Sequence, residues 1–283
     1  MQLEVVSPHD GSARRAYLRL PVQPSAAPLP LVLAPHPFGW RAEEDYAGGM
    51  PGLKRGMHRG WHGIANRYGV AVLQPMGHAR ELENVSLGYA GQIIDFQVLI
   101  EAAAVHFSVD RQRIYAVGLS MGGQEALLLA ARYPTIAAVF TFNPIVDLAA
   151  WHDDLLVSAL PAIKEYRTAE NIRLEVGGSP TEVPDAYLER SPSSAPGALV
   201  GTPVAMWWSA WDSVVTGGVQ RQAFRLYQRV KSLDATAPIT EYEHTLIHGK
   251  RPPLTLDEGW AVHEYADYEL ALSWCLQHRL LRR

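Results

Sequence analysis

A single cysteine, Cys275, stands among 283 residues, so no disulfide can form within the chain. Tyr265, Tyr268 and Leu272 share an apolar helical face with it, and its expected role is to fill the core. No apolar run approaches the length needed to cross a membrane. The start, Met1 to Val6, has neither a basic head nor a long apolar stretch, so no signal peptide is expected. Basic runs are missing too, and the formal net charge is -4, which argues against nucleic acid as a partner. There is no Walker loop and no Gly-x-Gly-x-x-Gly after a strand. His58 and His62 lie four apart, but no Glu follows the first and Gly60 weakens the helix, so a metal pair is not expected there. These absences leave a soluble cytoplasmic protein with no metal or organic cofactor, no membrane and no nucleic acid, its oligomeric state left open.

What is present is a globular composition, 48% hydrophobic and 19% charged, at a length usual for one large α/β domain. The chain is organised around Arg113-Ile114-Tyr115-Ala116-Val117-Gly118-Leu119-Ser120-Met121-Gly122-Gly123. An apolar β-type run ends at Gly118 and a helical pattern starts beyond Gly122. Strand, sharp turn and helix with serine at the apex is the arrangement that a Gly-x-Ser-x-Gly elbow requires. The turn leaves no space for a β-carbon at the flanking positions. The helix N-terminus behind the serine favours an oxyanion.

Around this elbow, strands and helices alternate. Leu3–Val6 and Ala16–Leu20 read as an antiparallel pair across His9-Asp10-Gly11. Short apolar strands follow at Leu31–Ala34, Val70–Gln74, Ile114–Val117, Ala137–Phe142, Pro203–Trp208 and Ile239–Tyr242. Helices are expected at Trp61–Tyr68, Ile93–Phe107, Glu125–Ala131, Val219–Lys231 and Val262–Leu281. Residues 147–201 read as an irregular excursion over the active site within a single domain, 1–283. The alternation implies a mostly parallel eight-stranded sheet with an antiparallel N-terminal strand and helices on both faces.

A serine hydroxyl needs a base, and the base needs an acid to fix its tautomer. Elbow folds deliver them in chain order, serine, acid, histidine, after late strands. Asp212 follows the strand 203–208 at its carboxyl end, where α/β sites form, and Asp147 is the rival acid. For the base, His248 precedes Gly249 on the loop after Ile239–Tyr242. His244 is the second choice and His263 the third. The oxyanion donors are expected to be the amides of Met121 and of Phe38, because Pro37 has no N–H. Trp207, Trp208 and Trp211 surround the acid loop, and alternation makes some of them core and at least one a cleft wall. Glu43-Glu44 is either a solvated charge pair or a seat for a substrate amine.

These residues resemble the catalytic domain of an α/β-hydrolase of the prolyl oligopeptidase type. The resemblance rests on Asp110-Arg111-Gln112-Arg113-Ile114-Tyr115 leading into Gly118-Leu119-Ser120-Met121-Gly122-Gly123. It continues in Gly177-Gly178-Ser179-Pro180, Arg190-Ser191-Pro192, Asp212-Ser213-Val214-Val215 and His248-Gly249. One departure is His36-Pro37, where the family usually has His-Gly, which touches the shape of the oxyanion loop. Another is the missing peptide-selecting propeller, for which the chain has no room. The resemblance therefore implies a cofactor-free serine hydrolase acting on small esters, with a short-peptide peptidase as the alternative. A degenerate hydrolase serving as a binding protein is the third reading.

Overall fold

A computed structural model of the chain describes residues 1–23, 27–38, 61, 63–157, 163–216, 221–244, 262–263 and 265–280. Its frame is an eight-stranded sheet in the order β1-β2-β4-β3-β5-β6-β7-β8. The strands are β1 (Gln2–Val6), β2 (Ala13–Arg19), β3 (Leu29–Leu33), β4 (Ala71–Pro75), β5 (Val109–Leu119), β6 (Ala138–Phe142), β7 (Val204–Trp208) and β8 (Ile239–Glu243). Only β2 runs against its neighbours, pairing antiparallel with β1 and β4, and every other pairing is parallel. Several strands begin earlier than the pattern implies, β2 at Ala13 rather than Ala16 among them. β3 starts at Leu29, two residues before the expected Leu31, and its register with β5 shifts between Leu29 and Leu31. Pro30 lies at that shift, where a residue without an N–H interrupts a ladder least. β5 starts at Val109, five residues before the expected Ile114, so Asp110 and Arg111 lie in the strand.

Side-chain alternation along the central strands feeds two cores. Leu31, Leu33, Ile114, Ala116, Val139, Val204, Met206 and Trp208 face one side. There they meet α2 (Ala90–His106), α3 (Met121–Arg132) and α7 (Ala223–Leu233). Val32, Tyr115, Val117, Phe140, Phe142 and Ala205 face the other side, against α1 (Ile64–Tyr68) and α8 (Tyr268–Cys275). Helices thus cover both faces. Burying one such side chain contributes roughly 1.5–3 kcal/mol, so these contacts rather than helix propensity hold short elements such as α1. Gly69 ends α1 at φ 61°, a conformation that glycine adopts freely. Cys275 is buried in the second core, and burial pushes its thiol well above its ordinary range.

Two expectations about helices change. Segment 147–201 is more regular than its sequence implies: it holds α4 (Leu148–Val157), α5 (Ile163–Val176), α6 (Pro184–Glu189) and two short 3-10 turns. Leu148, Trp151, Ile172 and Tyr187 form a third apolar cluster there with Met121 and Leu87. The closing helix is not continuous from Val262. Residues 262–263 are helical, 265–267 leave the helix, and α8 starts afresh at Tyr268. Asp267 causes the restart: its side chain accepts from the Leu270 amide at 2.9 Å, an N-cap that fixes the first turn of α8. Among the described residues no helix is long and apolar enough to cross a membrane.

Candidate active site

Ser120 stands where β5 passes into α3, with φ 57° and ψ -120°. Ser120 is buried, and a non-glycine residue with positive φ is uncommon and points to a turn held there by its surroundings. The flanking glycines are enforced by contact. A β-carbon on Gly118 would lie 2.2 Å from Gly122 O, and one on Gly122 would lie 2.3 Å from Pro35 O. Both obstacles are backbone. The elbow is therefore pressed between its own helix and the loop after β3, the loop that carries Phe38. Ser120 does not cap α3 with its side chain. Its amide donates to Phe142 O at 2.9 Å, tying the elbow to the end of β6.

Met121 opens α3, where amides lack acceptors within the helix. Met121 and Phe38 pack into the same apolar cluster, and Phe38 meets Trp151 edge-to-face at 6.4 Å. The Trp151 indole donates to Val214 O at 2.7 Å. Trp151 thus bridges the Phe38 loop and the acid loop, a role that its sequence context did not signal. Of the three tryptophans expected around that acid loop, Trp208 turns into the first core and Trp207 toward the second, while Trp211 is exposed.

Asp212 is buried just beyond β7. Its Oδ1 accepts from the amides of Val214 and Val215, at 2.7 and 2.9 Å. Its Oδ2 lies 2.8 Å from Nδ1 of His263. Asp212 therefore holds His263, the third choice of histidine from the sequence. His248, together with Glu43, Glu44, His58 and His62, lies outside the described residues. His244 is engaged otherwise, its ring stacked on Tyr265 at 4.7 Å and on Trp207 at 5.8 Å, and burial lowers its pKa. Asp147, the rival acid, caps α4 by accepting from the Ala150 amide at 3.0 Å and faces Arg225 at 3.8 Å. Among the described residues no cluster of histidine, cysteine and carboxylates is arranged to hold a metal.

Residues 97–248, more than half of the sequence, match the model of the Esterase family. The chain belongs to that family. Cutinase est2 of Thermobifida alba is 29% identical over 144 residues, which span 49% of this chain and 45% of that relative. The chain thus matches less than half of this curated relative's length. Among solved structures, the acylaminoacyl peptidase of Pyrococcus horikoshii superposes with a TM-score of 0.65 at 17% identity. That match covers 98% of this chain and 41% of the peptidase. An S-formylglutathione hydrolase from Agrobacterium tumefaciens superposes with a TM-score of 0.59 at 14% identity, covering 98% and 94% of the two chains. These likenesses establish the α/β-hydrolase fold.

One further titratable group lies on α3. Glu125, a turn beyond Met121, is enclosed, with the Ser86 hydroxyl donating to it. Burial raises its pKa from 4.5 to about 8, against the opposing pull of that hydrogen bond. The folded chain thus keeps a proton that the unfolded chain releases near pH 4.5. Between those two values the folded state binds more protons, so stability falls as pH rises, by up to about 1.4 kcal/mol per pH unit. Replacing Glu125→Gln is expected to remove this slope, and melting temperatures of both proteins across the same window test it. Parallel curves would mean that Glu125 is ionised in the folded state.

Proposed function

We propose that this chain is a serine carboxylesterase working through Ser120, His263 and Asp212. Asp212 accepts the Nδ1 proton of His263, which fixes the tautomer and leaves Nε2 as the base. His263 removes the Ser120 proton as the hydroxyl oxygen attacks the ester carbonyl. The amides of Met121 and Phe38 bond the developing oxyanion. His263 returns the proton to the leaving alcohol, and water, activated by the same nitrogen, releases the acid from Ser120. Every step uses side chains or amides of this chain.

The observation that carries this reading is the 2.8 Å contact between Asp212 and His263 at the sheet edge that also bears the elbow. Ser120 Oγ makes no hydrogen bond to His263 among the described residues, and catalytic hydrogen bonds of this kind commonly tighten only with substrate bound. The family and the cutinase relative favour esters. The alternative is a short-peptide peptidase, which the likeness to an acylaminoacyl peptidase keeps in view. Turnover of p-nitrophenyl acyl esters against aminoacyl anilides, with Ser120→Ala as the control, separates the two. Ester turnover that disappears in Ser120→Ala is expected, whereas turnover of anilides alone would sink the esterase reading. A folded protein that no fluorophosphonate labels at Ser120 would make it a binding protein instead.

A further inference from the structure

We infer that Asn143 is a positioning residue that sets the place of His263 relative to Ser120. This rests on the triad proposed above. Asn143 follows β6 directly, is buried, and has φ 41°. Asparagine is among the few side-chain-bearing residue types that adopt this conformation routinely. Its backbone amide donates to Trp207 O at 2.7 Å, which locks it to β7, the strand that leads to Asp212. The residues on either side hold the nucleophile: Phe142 O accepts from the Ser120 amide at 2.9 Å, and the Ile145 amide donates to Ser120 O at 3.4 Å. The Asn143 side chain reaches the other way. Its Nδ2 donates to Val262 O at 3.0 Å and to His263 O at 3.1 Å.

Two adjacent carbonyls can be met only by a group with two protons and no competing lone pair, which the amide NH2 supplies. An aspartate would oppose both carbonyls, and a serine or threonine could serve one. The Val262–His263 segment that Asn143 grips is tied by the Tyr265 amide to Val262 O at 3.1 Å, and Asp267 caps α8 just after it. Among the described residues His263 therefore has one lateral tie through its side chain, to Asp212, and one through its backbone, to Asn143. The first sets the tautomer and the second sets the distance to the elbow. Such a residue acts on the geometry of proton transfer and leaves ester binding alone.

The experiment compares Asn143→Asp, which keeps size but loses both donors, with Asn143→Gly, which keeps the positive φ and removes the side chain. Both are assayed on a p-nitrophenyl ester beside His263→Ala, with melting temperature as the folding control. A misplacement near 1 Å is expected to lower kcat by about 100-fold and leave KM within about threefold. Fluorophosphonate labelling of Ser120 should slow by a similar factor. If folded Asn143→Gly and Asn143→Asp keep kcat within about threefold while His263→Ala is inactive, this inference fails and the triad stands. A loss of activity that vanishes at temperatures where the variants are fully folded also overturns it, since a purely structural role would behave so. If His263→Ala keeps its turnover, the triad reading fails and this inference with it.

Discussion

Replacing His263→Ala should lower kcat/KM for an ester by on the order of 10⁴-fold, whereas His248→Ala should leave it within about threefold. The difference follows from Asp212. Its two oxygens are already committed, Oδ1 to two amides and Oδ2 to His263 Nδ1. A second histidine would have to displace one of these bonds in a buried site, where a lost hydrogen bond costs about 1–3 kcal/mol. His263→Ala also leaves Oδ2 without its donor, so some loss of stability accompanies the loss of rate. His263→Gln separates the two, because its amide can still donate to Asp212 yet cannot act as a base near neutral pH. It should be as inactive as His263→Ala and melt closer to the parent chain. Loss of turnover in His248→Ala with His263→Ala still active would reverse the assignment.

The choice between these histidines marks where sequence stopped being informative. The elbow was legible because its demands are local. Gly118 and Gly122 are required by atoms within a few residues or on the adjacent loop, and the strand and helix periods on either side are unbroken. The place of Asp212, the proposed acid, was legible for a similar reason, lying four residues beyond the end of an apolar strand. The central strands follow from short apolar runs, though Pro30 and Asp110 hid the first residues of β3 and β5. The base is a different matter. A long connection separates β8 from residues 262–263, and no local pattern says which of its histidines returns to the site. His248-Gly249 has the composition of a turning, exposed position. What brings His263 to Asp212 is a set of contacts between distant residues: Asn143 on the 262–263 carbonyls, and the 2.8 Å bond itself. One signal was present in the chain. Asp267 stands where an N-cap belongs, with Glu269 in the first turn behind it, and that pattern starts a helix at Tyr268. It would have broken the expected Val262–Leu281 helix and left His263 outside α8. Trp151 and Asn143 offered less, since an apolar residue on a helix and a turn asparagine have ordinary roles almost everywhere.

Gly122→Ala is the second change expected to be severe, and it tests the oxyanion loop rather than the triad. The added β-carbon would sit 2.3 Å from Pro35 O, 2.9 Å from Pro35 C and 3.1 Å from His36 O. None of these atoms can swing aside as a side chain would. Either α3 or the 35–38 loop has to move. The start of α3 is pinned against β5, as the 2.2 Å approach of a Gly118 β-carbon to Gly122 O indicates. The loop is the part that can give, by roughly 1 Å to restore ordinary contact, and it carries Phe38. Losing one aligned oxyanion donor lowers kcat by about 10²–10³-fold, while overpacking of this kind costs about 1–3 kcal/mol in stability. Activity should therefore fall far more than the melting temperature implies. Gly123→Ala serves as the comparison, because its β-carbon would lie 3.1 Å from the Pro144 side chain and 3.2 Å from Gly118 O, distances that small shifts relieve. A Gly122→Ala protein that melts lower but turns over at the parent rate would remove Phe38 from the oxyanion site, since the loop would have moved without consequence for the reacting carbonyl.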